Sequence, residues 1–310
     1  MVRMLNRIKT GIANFYFHFL SVEEKLGYMF LGTSLKNVNP IVILPAVDTV
    51  TDLVISKLKK KTVHGAVYNG MLNHVKVSVI QTHMGSPAAA IIMEVIKTCS
   101  CKAAIRIDYC GGLQSTWHDG HVVQTGIDVG SLVIPKNVVL SDGTSLQYLQ
   151  KYAAQIATHR LFRSLSANAD EHWTYPNLSE NYWTVGCDEL LYELFQKMVP
   201  VHEKREQEDR LWSSDALFCE DADAIKSWQL HGCDSVDMES CAIYLLGALF
   251  NTSVISVLAV SNLRDLEEAS MFKTKRIPPG TLQGMDDAVN LLCDSLPLIH
   301  GNLQHVQAMK

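Results

Sequence analysis

The segment from Ala103 to Gln114 constrains the fold of this chain more than any other stretch. It begins with the apolar run Ala103–Ile107, interrupted only by Arg106, and continues into the pair Gly111-Gly112. We predict a buried strand followed by a tight glycine turn. In an open α/β sheet, ligands gather at the carboxyl ends of the strands, and an arginine buried there needs a carboxylate or phosphate partner. An internal acid and a bound anion both fit this position.

Two further segments have the same strand-to-helix character. Thr82–Glu94 contains a strand end, a glycine and then a helix with Pro87 near its first turn, where proline is tolerated. Such a helix start offers free N–H groups and a positive dipole end to an anion. Ser235–Ser240 places two carboxylates, Asp237 and Glu239, at another junction of this kind. The sequence therefore predicts an anion-binding or acid–base site at the strand ends.

The order of apolar and amphipathic stretches predicts an α/β fold. Strands are expected within Asn39–Pro45 and Val75–Thr82, and a helix at Ala88–Thr98. This alternation favours a three-layer α/β/α sandwich around a central mixed sheet. We expect one domain over residues 1–310, with an irregular insertion around Ser164–Thr184. Other predicted elements are helices at Val50–Leu58, Leu146–Arg163, Asp188–Met198, Ala222–Gln229 and Asp286–Leu296 and strands within Ser131–Leu140 and Ser253–Val260.

Composition excludes several classes of partner. The chain of 310 residues has a net charge of −5, which argues against nucleic acid or an anionic membrane surface. The sequence contains no run of 18 apolar residues, the length needed to span a membrane. The eight cysteines lack the spacing of a metal site or a disulfide framework. We therefore expect free thiols, no bound metal and a cytoplasmic location.

Taken together and in this order, the segments resemble the nucleoside phosphorylase family of the uridine phosphorylase and hexameric purine nucleoside phosphorylase type. The resemblance implies phosphate-dependent cleavage of a nucleoside to free base and ribose 1-phosphate. It implies no cofactor, with inorganic phosphate as co-substrate, and assembly as a homodimer or a trimer of dimers. The similarity also includes the segments Asp128–Pro135, Asp142–Ser145, Trp212–Phe218 and Val260–Asn262.

The resemblance implies roles for individual residues. Glu239 accepts hydrogen bonds from both ribose hydroxyls, and Met238 packs against the sugar. Arg106 holds phosphate by two parallel hydrogen bonds, where Gly85 lets the backbone approach the same anion. His18 reaches into a neighbouring subunit toward the ribose 5′-hydroxyl. The simpler alternatives are an acid at a helix start for Glu239 and a packed core histidine for His18.

The chain departs from its relatives around phosphate. Relatives carry Gly-Asp-Pro-x-Arg after the first strand, whereas this chain has Val50 in place of that arginine. Relatives have Gly-Thr or Gly-Ser after the strand arginine, whereas this chain has Asp108 and Tyr109. Tyr109 adds bulk, and Asp108 adds like charge near an anion. Lys59 takes the place of the arginine that relatives lend across the dimer. We therefore predict weak phosphate binding.

The choice of base stays open at this stage. Uridine-specific relatives carry a Gln-x-Arg pair that is missing after Phe218. Purine-specific relatives have an aspartate at the position that Asn262 occupies in this chain. The amide of Asn262 can still pair with a ring nitrogen and a carbonyl of a base. Phe218 either stacks on the base or packs in the core, and Asp237 is expected in the substrate site. The leading function is a uridine phosphorylase-like activity. The alternatives are a purine nucleoside phosphorylase and an impaired nucleoside-binding paralogue with a structural or regulatory role.

Overall fold

The computed structural model describes residues 18–118, 120–166, 181–201, 209–264 and 277–308. In this part of the chain, twelve strands form one mixed sheet and two form a separate hairpin, β6-β7. The main path of the sheet is β10-β11-β9-β12-β13-β5-β1-β4-β3-β2, with β14 beside β5 and β8. The strands are β1 Ile41–Leu44, β2 Lys59–His64, β3 Val67–Leu72, β4 Val75–Ile80, β5 Ala103–Gly112, β6 Ser115–His118, β7 His121–Gln124, β8 Leu132–Val133, β9 Asn137–Leu140, β10 Phe162–Ser166, β11 Asn181–Gly186, β12 Arg210–Ser213, β13 Ser235–Asp237 and β14 Ser253–Leu263.

Helices flank the sheet and complete the predicted three-layer α/β/α arrangement. The most buried of them, Ser240–Phe250, has no exposed residue and packs against Ser86–Ile96. Two short non-α turns, Gly27–Leu31 and Leu35–Asn37, precede the first strand. The α-helices are α1 Val22–Leu26, α2 Asp48–Lys57, α3 Ser86–Ile96, α4 Gly143–Lys151, α5 Ala153–Thr158, α6 Glu189–Met198, α7 Ala222–Leu230, α8 Ser240–Phe250 and α9 Pro279–Ala308.

The predicted glycine turn at Gly111-Gly112 is wrong. Both residues belong to β5, where Gly111 pairs with Val236 of β13 and with Asn262 of β14. A Cβ atom on Gly111 would lie 2.8 Å from Nε of Arg264. Glycine is therefore required here for the close approach of neighbouring groups rather than for a turn.

Other predicted boundaries also need correction. The basic residues that follow the predicted helix Val50–Leu58 lie in the exposed edge strand β2. The helix expected at Leu146–Arg163 is two short helices followed by β10, and the two break at Tyr152. The expected insertion Ser164–Thr184 begins and ends in the paired strands β10 and β11, and its central residues 167–180 lie outside the described residues.

Strand register determines which groups meet at the site. In the parallel pair β1 and β5, Leu44 lies opposite Arg106. The chain after β1 therefore passes beside Asp108, two residues further along β5 and on the same face as Arg106. In the parallel pair β12 and β13, Ser213 lies opposite Asp237. Charged and polar groups distant in sequence are thereby brought to one edge of the sheet.

Two further observations concern the expected surroundings of the protein. No helix among the described residues is long and apolar enough to cross a membrane. All eight cysteines are free, as predicted, and five of them are buried. In the same described part of the chain, no group of three or more His, Cys, Asp and Glu side chains is arranged to hold a metal ion.

Candidate functional site

A pocket opens where the ends of β1 and β5 meet β13, β14 and the segment before α8. It brings together residues that are up to 218 positions apart in the chain, from Ala46 after β1 to Arg264 after β14. The predicted site residues that line it are Arg106, Tyr109, Asp237, Met238, Glu239 and Asn262, and Asp108 lies among them.

Arg106 is almost completely buried and is surrounded by three carboxylates. Its Nε atom donates to Asp237 at 3.1 Å, and its Nη2 atom donates to Glu239 at 2.6 Å. The third carboxylate, Asp108, lies 3.6 Å from Nη1. Burial alone would lower the pKa of Arg106, but Glu239, Asp237 and Asp108 together raise it. The arginine thus pairs with internal acids, which is the simpler of the two predicted alternatives.

Asp237 fixes the orientation of the arginine. Its carboxylate accepts hydrogen bonds from the hydroxyl of Ser213 at 2.6 Å and from the hydroxyl and N–H of Ser240. The N–H of Ser240 lies at the start of α8, where backbone donors have no partner within the helix. Because this N–H donates to Asp237, Asp237 rather than Glu239 caps the helix. With the bond from Arg106, both oxygens of Asp237 are occupied by protein donors. A direct contact of Asp237 with substrate stays a prediction.

Glu239 has a different environment. One carboxylate oxygen accepts from the N–H of Gly85 at 2.7 Å and the other from Arg106. A carboxylate oxygen can accept two hydrogen bonds, so each retains capacity for one more partner. Burial raises the pKa of Glu239, and Asp237 adds to this effect, whereas Arg106 opposes it. Gly85 has a positive φ of 98°, which presents its N–H to the carboxylate.

Asp108 occupies the backbone donors that follow β1. Its Oδ2 atom accepts from the N–H groups of Ala46 at 2.5 Å and Val47 at 3.2 Å, and its Oδ1 atom accepts from its neighbour Tyr109. Val47 is the residue before α2, so the helix dipole adds to these donors. Burial raises the pKa of Asp108, while Arg106 and the three N–H groups oppose that shift. Because every hydrogen-bond partner is a donor, this group acts as a carboxylate.

The far end of the pocket contains donors without protein partners. Nδ2 of Asn262 and Nε of Arg264 are buried and have no hydrogen-bond partner in the described part of the chain. Arg264 forms an ion pair with Glu220 at 2.8 Å, in which both side chains are nearly buried. Burial raises the pKa of Glu220 and lowers that of Arg264. This end can therefore offer both donors and an acceptor to a planar heterocycle.

Several predicted residues lie away from the pocket wall. The core alternative for Phe218 is wrong, because its side chain is 82% exposed. The core alternative for His18 is wrong as well, because it is exposed near the start of the described residues, and Lys59 is exposed on β2. Contributions of His18 and Lys59 to another copy's site stay predictions. Val50, at the position of the relatives' arginine, lies on α2 and is buried in the hydrophobic core of the protein.

Sequence reasoning missed Glu220 and Arg264. Arg264 directly follows the apolar strand β14, in the same way that Arg106 lies in the apolar strand β5. A second arginine at the end of a buried strand was therefore the available signal. Nothing in the sequence indicated Glu220 as its partner, because the ion pair depends on where the chain returns after β12.

Comparisons with known proteins identify the family of this chain. The family model described as "Phosphorylase superfamily" matches residues 40–276, and the chain belongs to this superfamily.

Individual relatives are distant in sequence. The DeoD-type purine nucleoside phosphorylase of Clostridium novyi (strain NT) is 22% identical over 200 residues, or 63% of this chain and 67% of the relative. Uridine phosphorylase from Vibrio fischeri ES114 matches with a TM-score of 0.60 and 17% identity, covering 84% of this chain and 93% of that structure. The 5′-methylthioadenosine/S-adenosylhomocysteine nucleosidase of S. pneumoniae matches with a TM-score of 0.57 and 18% identity, covering 83% and 97%. These structures share the fold with this chain.

Proposed function

We propose that this protein cleaves the N-glycosidic bond of a nucleoside in the pocket formed by β1, β5, β13 and β14. The observation that carries the proposal is Glu239, a buried carboxylate with one free acceptor position on each oxygen. Two adjacent ribose hydroxyls match two such positions. Met238 lies next to it on the pocket wall, where a sugar face would rest.

The chemistry requires stabilisation of positive charge on the sugar. As the bond between C1′ and the base nitrogen breaks, the ribose gains oxocarbenium character. A fixed carboxylate bound to the ribose hydroxyls stabilises that charge more in the transition state than in the ground state. Arg106 and the N–H of Gly85 hold Glu239 in place, so little reorganisation is needed during the reaction.

The base binds at the opposite end in this proposal. Asn262 and Arg264 offer donors, and Glu220 offers an acceptor, which suits the mixed edge of a nucleobase. Phe218 is exposed next to Leu217, which lines the pocket, and would turn toward the ring and stack on it when the base binds. Uridine remains the leading substrate and a purine nucleoside the alternative, since both kinds of base present donors and acceptors. Assembly as a homodimer or trimer of dimers, in which His18 and Lys59 serve a second copy, belongs to the same proposal.

The test is release of free base from a panel of pyrimidine and purine nucleosides, measured with and without inorganic phosphate. We expect Glu239→Gln to lower kcat/KM by roughly two decades or more, the scale of losing a transition-state contact. Glu189→Gln, on the exposed start of α6, is the matched control and should not change the rate. The absence of base release from every nucleoside, in protein shown to be folded, would favour the nucleoside-binding alternative. An unchanged rate for Glu239→Gln would remove this residue from the mechanism.

A further inference from the structure

The pocket contains one set of donors suited to an oxyanion, and a side chain of the protein already occupies it. The set consists of the guanidinium of Arg106 and the N–H groups of Ala46 and Val47 at the start of α2. A cation combined with backbone N–H groups at a helix start is the usual protein arrangement for a phosphate or carboxylate. Here the occupant is the carboxylate of Asp108.

The fit of this carboxylate is tight. Asp108 is 2% exposed. Its Oδ2 atom lies 2.5 Å from the backbone nitrogen of Ala46 and 3.6 Å from Nη1 of Arg106. Asp237 and Glu239 accept from Nε and Nη2 of Arg106, whereas Nη1 faces Asp108 as an ion pair and has no hydrogen-bond partner among the described residues. Both backbone donors after β1 and two of the three guanidinium nitrogens are thus engaged before any ligand arrives.

The net charge of the cluster points in the same direction. Three carboxylates face a single guanidinium, so an arriving phosphate dianion meets an excess of negative charge. Neutral water faces no such repulsion. The strand position explains why the effect is permanent, because Asp108 lies within β5, where it pairs with Leu258 of β14, and its carboxylate binds the backbone after β1.

We propose that Asp108 is a built-in substitute for an oxyanion co-substrate, and that this protein transfers the ribosyl group to water instead of phosphate. This inference rests on the proposed nucleoside cleavage. In the step, the water oxygen bonds to C1′ while the bond from C1′ to the base nitrogen breaks and its electron pair stays on the base. One water proton passes to solvent, and solvent protonates the base nitrogen. The products are free base and free ribose.

The test compares wild type with Asp108→Gly, which removes the carboxylate and leaves the donors free. Base release and the product sugar are measured over a series of inorganic phosphate concentrations. Wild type should show no dependence on phosphate and form ribose. Asp108→Gly should respond at least about tenfold, because a charged hydrogen bond to an anion corresponds to about one to two decades in affinity. Asp188→Gly, which removes a helix-capping carboxylate of α6 outside the pocket, should acquire no response.

Two additions keep the outcome decisive. Asp108→Ser is made in parallel in case the glycine variant does not fold, and phosphate-dependent thermal stabilisation is measured for every folded variant. Phosphate saturation of wild type with ribose 1-phosphate as product would overturn the inference and leave the proposed function intact. Folded Asp108 variants that gain neither a rate response nor stabilisation would overturn it as well. If wild type cleaves no nucleoside, the proposed function fails, and stabilisation by phosphate still tests the role of Asp108.

Discussion

The two ends of the pocket differ in how their polar groups are satisfied. At the β1 and β5 end, Arg106 is enclosed by acids, and the backbone donors beside it bind Asp108. At the β14 end, buried donors of Asn262 and Arg264 have no hydrogen-bond partner within the described residues. An unsatisfied buried donor costs about 1–3 kcal/mol, so it is expected where a ligand supplies the partner. At the first end only Nη1 of Arg106 lacks a hydrogen-bond partner among the described residues, and it faces the carboxylate of Asp108 at 3.6 Å. The comparison indicates that the protein's own acids close this end, whereas the other end presents donors to a ligand.

Electrostatics explains why the closed end would reject an anion. Two unit charges 4 Å apart interact by about 4 kcal/mol at an effective dielectric constant of about 20. A phosphate beside Asp108 would meet repulsion on this scale while competing for donors that are already bound. The relatives' arginine position offers no compensation, because Val50 is packed in the core. An arginine introduced there would be buried without a partner, so replacing Asp108 is the better route to a phosphate site.

The largest effect is expected from removing the cation of the closed end. Arg106→Met leaves three buried carboxylates without their guanidinium. We expect a loss of about 3–5 kcal/mol in the free energy of unfolding, the usual cost of breaking a buried ion pair from one side. Denaturant unfolding at pH 7 measures it. Arg163→Met on the exposed face of β10 is the matched control and should change stability by no more than about 0.5 kcal/mol. A loss below about 1 kcal/mol for Arg106→Met would mean that the cluster is not a stabilising unit.

A smaller effect is expected at the open end. Asn262→Ala removes an amide whose Oδ1 accepts from the hydroxyl of Ser261 and whose Nδ2 has no partner among the described residues until the base binds. We expect KM to rise by about two- to tenfold with little change in kcat, since a neutral hydrogen bond contributes about 0.5–1.5 kcal/mol. Steady-state kinetics on the best nucleoside of the panel provides the measurement, with Asn302→Ala on α9 as the control. An unchanged KM would show that Asn262 does not contact the base.

The smallest effect concerns the pH dependence of stability. Burial raises the pKa of Glu239 above its ordinary value of about 4.5. A carboxyl group with a raised folded-state pKa contributes stability below its unfolded pKa and loses that contribution as pH rises through the folded pKa. Glu239→Gln lacks this titration. The free energy of unfolding of the variant, relative to wild type, should therefore increase by on the order of 1 kcal/mol as pH rises above about 4.5. A difference that is constant with pH would contradict the raised pKa.

The sequence was sufficient for the layered fold and for naming six residues that line the pocket, whose roles stay predictions. The buried strands β1, β5 and β14 are mostly apolar, so they can be recognised as strands without knowledge of their partners. The acids at the start of α8 were likewise readable as a functional junction. Motif order supplied the rest, because it linked Arg106 with Glu239 before any contact was known.

The partners of Arg106 could not be predicted from spacing. Asp237 and Glu239 are 131 and 133 residues away in the chain, so the choice between an internal acid and a bound anion depended on strand order. The contact of Asp108 with Ala46 spans 62 residues and depends on the register of β1 against β5. The glycine pair was misread for the same reason, since the group that requires Gly111 is the side chain of Arg264, which follows β14.

The identity of the sugar product tests the central claim most directly. Wild-type protein is incubated with its best nucleoside and excess inorganic phosphate, and ribose and ribose 1-phosphate are quantified against the free base. We predict one ribose for each base released and no ribose 1-phosphate, because Asp108 occupies the donors that phosphate would need. Ribose 1-phosphate formed in equal amount to the base would contradict the account, since it would require phosphate to displace that carboxylate or to bind elsewhere in the pocket.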